Sequence, residues 1–515
     1  MQVRLTGLIP GALLVALVVA PPVQAQDAGA PLSAIDWLSD SIATPPETPA
    51  DGGDVATSAT PGAIDVIPLG GPVADATGLL PPSATGLPRD LWGPSGTEDI
   101  IAALAAVPDS PLPSLRTLLI TLLVAEANAP SDAGRDDHLL LARVDRLLDM
   151  GALDRAAALL ERAGIETPER FRRYFDIALL QGTETDACAR MLARPDISPT
   201  YPARIFCLAR GGDWRAAAVT LETANSLGIL SQSEDMLLAR FLDSEIVDDS
   251  LIPPDGRVPS PLMFRMSEAV GEPIPTTTLP LPYAWADLRA TRGWKAQIEA
   301  GERLARNGLL SGNRLVSLYL RQRPSASGGV WDRVAAIQRL QVDLAEGKVD
   351  TVGRDLPGVW DAMRDAGLHH VFAAQYGKEL AALPLSGPAA TLALQIGLRS
   401  PAYEEVALAA RSDNAQLRFV LALARGLPET AVAPGTMSLA VREGFIADAP
   451  PPALERYIAT GRVGEAILKA LTLFSEGAAG DPDGISDAIV LLRSLGLEDT
   501  ARRAALELLL QEGYG

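Results

Sequence analysis

Few side chains in this chain can do chemistry: among 515 residues there are 3 histidines and 2 cysteines, set against 64 acidic and 44 basic side chains. His369 and His370 are adjacent, so on a helix their imidazoles project in different directions, and no partner ligand stands four residues on. The pair is expected at a helix start or on the surface rather than around a metal. His138 stands alone. The carboxylate pairs Asp248-Asp249 and Glu404-Glu405 are expected on solvated faces of a chain this acidic. No glycine-rich phosphate loop, Gly-x-Ser-x-Gly turn or His-Glu-x-x-His helix occurs. A glycan-cleaving acid would need a carboxyl raised by an apolar cleft, which sequence alone does not locate. No catalytic, cofactor-binding or metal residue, and no cofactor, is therefore assigned.

The cysteines carry the most specific local signal. Cys188 and Cys207 stand on either side of the proline-bounded turn from Arg194 to Pro199, and their midpoint falls inside it. Residues equidistant from the turn of an antiparallel helical hairpin face one another, so a disulfide is expected in an oxidising compartment. A redox-active pair would be closely spaced; this one is not.

The elements that must hold these residues are helices. From Gly212, Trp214 lies at +2, Ala217 at +5, Leu221 at +9 and Ala224 at +12, steps that keep one helical face. The same offsets give Leu153, Ala156, Leu160 and Ala163 after Gly151, and Val463, Ala466, Ala470 and Leu473 after Gly461. A looser copy after Gly496 has Ala501, Ala505 and Leu508, with Glu498 at +2. The glycine suits a chain reversal with positive φ, and the alanine lets two helix backbones approach closely. The large residue at +2, Trp214 in the fullest copy, is expected to cap the seam. Gly151, Ala156, Gly212, Trp214, Ala217, Gly461, Ala466, Gly496 and Ala501 are thus read as packing residues.

The phrase Gly212-Asp213-Trp214-Arg215-Ala216-Ala217 resembles the second helix of a tetratricopeptide repeat, which opens Gly-Asp-Tyr-x-x-Ala. The first-helix signature of that family is missing, and only Gly461 to Gly496 comes near its ~34-residue period. The resemblance implies a divergent, all-α array of helical hairpins, an α-solenoid.

A hydrophobic content of 48% over this length is enough for a large core. The net charge of −20 argues against nucleic acid and anionic membrane surfaces, and favours a basic protein partner. Residues 1–25 read as a secretory signal: Arg4, an apolar run from Leu8 to Ala20, then Val23-Gln24-Ala25 with small residues at the cleavage positions. Cleavage after Ala25 would leave no segment long and apolar enough to span a bilayer. An exported, periplasmic protein is expected.

Residues 26–94 are rich in Pro, Ala, Gly, Thr and Asp and read as a disordered or extended tether. Within it, Leu32, Ile35, Leu38 and Ile42 share one helical face with Trp37 beside them, a candidate partner-docking motif. Folded structure is expected to begin at Ser95-Gly96-Thr97-Glu98, a capping box. One helical array would run over 95–247, a proline-rich linker over 248–282, and a second array over 283–515. The function expected is a non-enzymatic scaffold or adaptor that binds a protein or peptide in the cell envelope. The alternative is a peptidoglycan-active, glycan-cleaving enzyme with a carboxylate in the array. Helical superhelices of that kind carry a lysozyme-like module, which no stretch here resembles.

Overall fold

A computed structural model describes residues 73–511 except 110, 135 and 244–257. The proposed signal, the docking motif Leu32, Ile35, Trp37, Leu38 and Ile42, and part of the expected linker lie outside the described residues. The described residues are helical, with no strand among them. Local chemistry explains where helices start and stop. Thr200, Asp213, Ser260 and Asn414 each accept a backbone N–H in the first turn of the helix they precede, which satisfies a donor the helix leaves unpaired.

The glycine and alanine positions behave as their spacing predicts. Gly151, Gly212, Gly461 and Gly496 have φ of 78°, 88°, 74° and 77°, where a side chain would be strained. Ala156, Ala217, Ala466 and Ala501 are completely buried, each on the helix that follows its glycine. Successive helices pack against one another, as in Tyr201–Arg210 on Trp214–Ser226, Val330–Ala345 on Val349–Asp365, and Val463–Ala478 on Pro482–Ser494.

Cys188 and Cys207 form a disulfide between the helices Glu184–Ala193 and Tyr201–Arg210, with Cα atoms 5.0 Å apart. Closing a loop of 19 residues should stabilise by about 3 kcal/mol in the chain-entropy account. Reduction, or the pair Cys188→Ala and Cys207→Ala, is expected to lower the unfolding free energy by about that amount in denaturant titrations. An unchanged midpoint would contradict it.

Four expectations need correction. First, residues 73–94 are not tether. Leu80, Leu87, Leu91 and Trp92 are buried, and the backbone there is tied down: Leu79 N donates to Val124 O at 2.7 Å, Glu126 N to Leu80 O at 2.9 Å, and Gly464 N to Leu91 O at 2.7 Å. Arg143, itself 2% exposed, holds this strap from below. Its guanidinium donates to the carbonyls of Leu123 at 2.7 Å, Thr77 at 2.8 Å, Ala125 at 3.0 Å and Asp75 at 3.3 Å. Second, Ser95 and Glu98 do not form a capping box. Gly96 is the N-cap of Thr97–Ala106, and the distant Asp132 does the capping, accepting from Thr97 N at 2.9 Å and Thr97 Oγ1 at 2.8 Å.

Third, the described part of the proline-rich stretch is not a linker. Pro261 opens the helix Pro261–Ala269, which packs on Pro168–Gln181 and Gln232–Leu242. Arg265 from it reaches Glu184 at 2.9 Å, next to the disulfide hairpin. Trp285 Nε1 donates to Gly151 O at 2.8 Å, so the helices before and after the prolines belong to one body. The described residues fall in one compact unit rather than two arrays. Fourth, Trp214 is 51% exposed and caps no seam. The buried stripe of Trp214–Ser226 narrows to Ala217, Leu221 and Ala224, and the indole leans on Phe241 with ring centres 6.2 Å apart.

The first and last helices of this unit also meet. Thr97–Ala106 packs on Val463–Ala478, and Pro113–Val124 packs on Glu498–Leu509. Leu115, Leu119, Leu506 and Leu508 are buried, and Ser114 N and Oγ donate to Glu507 at 3.1 and 2.8 Å. Pro113–Val124, with seven buried apolar residues, is thus enclosed by neighbours that include the last described helix.

Candidate functional site

Where these ends join, the helix Pro113–Val124, the turn between Val349–Asp365 and His369–Ala382, and the end of Glu498–Leu509 surround a cleft of about 150 Å³. Trp360, Arg364, His369, His370, Arg399 and Glu507 bring their functional groups to it, with Leu112, Pro113 and Leu510 at its edge. Each is placed by a local feature. His369 and His370 are the first residues of their helix, after the N-cap Leu368, which offers no side-chain cap. Arg399 lies over the Trp360 ring at 5.3 Å and donates to Leu510 O and Gln395 O. It thereby complements the carbonyl end of the last helix. Trp360 meets His369 edge to face, with ring centres 6.3 Å apart. Arg364 pairs with Asp361 on its own helix at 3.1 Å.

The electrostatics of the cleft follow from burial. Burial lowers the His369 imidazole pKa, helped by the charges of Arg399 and Arg364. Burial lowers His370 to about 4, with His369 and Arg116 adding to it. Both rings are therefore neutral near pH 7. His369 Nδ1 and His370 Nε2 are buried and have no hydrogen-bond partner. Burial also pushes the Glu507 carboxyl up to about 7, against the hydrogen bonds from Ser114 and the charges of Arg503 and Arg116. The expectation that the histidines begin a helix holds; a place on the open surface does not.

A raised carboxyl has a consequence for stability. The unfolded Glu507 ionises near pH 4.5 and the folded one near 7, so folding loses stability as pH climbs between those values and keeps the deficit above them. Glu507→Gln preserves an acceptor for Ser114 and removes the charge. It should raise stability at pH 8 by on the order of 2–3 kcal/mol and leave it unchanged at pH 4. Equal effects at both pH values in thermal melts would refute the assignment.

A larger groove, about 470 Å³, runs between Val330–Ala345 and Val349–Asp365. Ala336, Leu340, Val352 and Val359 form its floor, and Asp332, Asp343, Asp355, Arg339 and Arg354 its rim. Arg354 pairs with Asp355 at 2.9 Å and Lys348 with Asp343 at 3.6 Å, so charges of both signs are paired along this rim. A Cβ added at Gly358, which also lines the groove, would meet no atom within 4 Å.

The sequence reading missed Trp360, Arg364, Arg399 and Glu507. They come from three separated helices, so no spacing links them; the adjacent histidines were the only local sign. The packing residues Gly151, Gly212, Gly461 and Gly496 are not brought together with this cleft. No described helix is long and apolar enough to cross a membrane. No family model matches the chain, and no curated protein or solved structure matches it.

Proposed function

We propose that the protein is a non-enzymatic scaffold or adaptor of the cell envelope, exported with cleavage after Ala25, built from divergent tetratricopeptide-like hairpins, and docking a basic protein or peptide segment. The observation that carries this reading is the groove between Val330–Ala345 and Val349–Asp365, with its apolar floor and a rim of three aspartates and two arginines. The disulfide is consistent with an oxidising compartment. An overall charge of −20 favours encounter with a cationic partner.

Gly358 offers a clean test, because it lines the groove, a Cβ added there meets no atom within 4 Å, and replacing a helical glycine costs no propensity. Gly358→Arg should leave the melting temperature unchanged or raised while removing the envelope proteins that the mature wild-type chain captures. Unaltered capture would overturn the groove as the docking surface. Deleting residues 30–43 in the same experiment tests the tether motif.

The enzymatic alternative would rest on Glu507, whose carboxyl is raised in a cleft with an apolar edge. Glycoside hydrolysis generally takes two carboxyls about 5 to 9.5 Å apart, and no other carboxylate lines that cleft. The scaffold reading is therefore preferred.

A further inference from the structure

We propose that the groove between Val330–Ala345 and Val349–Asp365 receives one amphipathic helix of a partner protein, whose flank carries a cation and an anion two helical turns apart. This rests on the groove being the docking surface; it adds what kind of segment docks there and what sets its register.

The floor selects the backbone of the guest. Ala336, Leu340, Val352 and Val359 line it, and none of these side chains donates or accepts a hydrogen bond. An extended segment pressed onto them would bury unpaired N–H and C=O groups, whereas a helix satisfies its own. A polyproline segment needs no pairing either, but it docks in aromatic-lined grooves, and no aromatic side chain lines this one. Size and shape agree. Asp332 and Asp343 mark the two ends of the lined stretch of Val330–Ala345 and lie about 16 Å apart along the helix, room for about three turns of a guest. A third helix laid in the trough between two others packs its ridge of apolar side chains into their groove.

Charge selects the register. On the rim, Arg354 is paired with Asp355 and Lys348 with Asp343. Asp332 and Arg339 differ: both are exposed, and among the described residues neither makes an ion pair. Asp332 accepts the backbone N–H of Gly328 at 3.0 Å, and Arg339 acts on Asp355 only at longer range. They are opposite in sign and stand about 10.5 Å apart on one face of their helix. A guest helix presents its own residues i and i+7 at the same separation, so a Lys or Arg and a Glu or Asp at that spacing meet both rim charges at once. Sliding the guest by two turns would set its cation against Arg339 instead. Exposed pairs of this kind add little affinity and mainly fix orientation and register, while the apolar anchors hold the helix.

The test selects peptides against the mature chain from two displayed libraries of equal composition. One is alanine-rich and helical, with apolar residues at helical spacing and Lys, Glu or Gln elsewhere; the other is broken by prolines. Binders should come from the helical library alone, share a Lys and a Glu seven residues apart, and be lost in Gly358→Arg. In the double variant Asp332→Lys, Arg339→Glu they should bind about tenfold more weakly, and exchanging the Lys and Glu of the peptide should restore binding; thermal melts establish that the variant folds. Helical binders indifferent to both exchanges overturn the assigned charges. Binders from the proline-broken library that Gly358→Arg still removes overturn the helix and leave the groove as the docking surface. Binders that Gly358→Arg does not affect sit elsewhere, and both readings of the groove then fail. The absence of binders from either library overturns the inference, while the capture experiment with Gly358→Arg judges the groove separately.

Discussion

Arg143→Met should destabilise the protein by about 3–5 kcal/mol, since removing one buried charged donor strands every group it served. Four main-chain carbonyls, those of Asp75, Thr77, Leu123 and Ala125, take hydrogen bonds from this one guanidinium. Methionine fills a similar volume but donates nothing. Burial lowers the Arg143 pKa to about 10, which still leaves it cationic at neutral pH, so lost donors rather than a change of charge state dominate the effect. Arg143→Lys should recover little of the loss, because an ammonium cannot reproduce a planar fork that spans two segments. The readout is twofold. Urea unfolding should show the loss of stability, and limited proteolysis should show new cleavage between residues 73 and 92, because Asp75 and Thr77 belong to the strap the arginine holds. A variant that is destabilised without new cleavage there would mean that Arg143 supports only the helix junction at Leu123.

The second large effect concerns Gly464. A Cβ at this position would stand 2.4 Å from two carbons of the Trp92 ring and 3.2 Å from Leu91 O, so the ring must move. Gly464→Ala should cost about 2–3 kcal/mol by overpacking, although alanine is ordinarily the better helix former. Trp92→Ala should cost about 3–5 kcal/mol as a buried aromatic is truncated. In the Trp92→Ala background the obstacle is gone, and Gly464→Ala should become neutral or slightly stabilising. The change of sign is the diagnostic: a double-mutant cycle with no coupling would place Trp92 somewhere other than against this helix.

Arg143 and Gly464 both hold in place a strap that composition hides. Residues 73–94 look too rich in proline to fold, and taken alone they have no partner. Their hydrogen bonds go to Val124, Glu126 and Gly464, groups that local periodicity does not connect to them. The stretch around Pro261 misleads for a related reason. Proline breaks a helix interior but suits its first turn, and Pro261 occupies that turn, as Pro113, Pro168, Pro202, Pro452 and Pro482 do in theirs. Counting prolines reads a boundary where placing them reads a helix start.

What was legible had its cause nearby in the chain. The glycine turns and buried alanines follow from backbone sterics within one hairpin, and the disulfide follows from symmetry about a single turn. Trp214 shows where such reasoning stops: its offset from Gly212 matches the buried Leu153 after Gly151, yet its own surroundings leave half of it in water. The cleft is further out of reach, since Arg364, Arg399 and Glu507 converge only through packing that spans most of the chain.

The meeting of Pro113–Val124 with Glu498–Leu509 changes how the chain must acquire its structure. An open array of hairpins can nucleate anywhere, grow by neighbours and fray from either end. Here Ser114 and Glu507 are 393 residues apart in sequence, and bringing such distant points together costs about 5 kcal/mol of chain entropy. The first described helices therefore cannot be fully covered until the last have been synthesised. Amide exchange at Leu115 and Leu119 should consequently be as slow as in the central helices, rather than hastened as at a free end, and a chain cut short before Glu498 should lose that protection at the opposite end of its sequence.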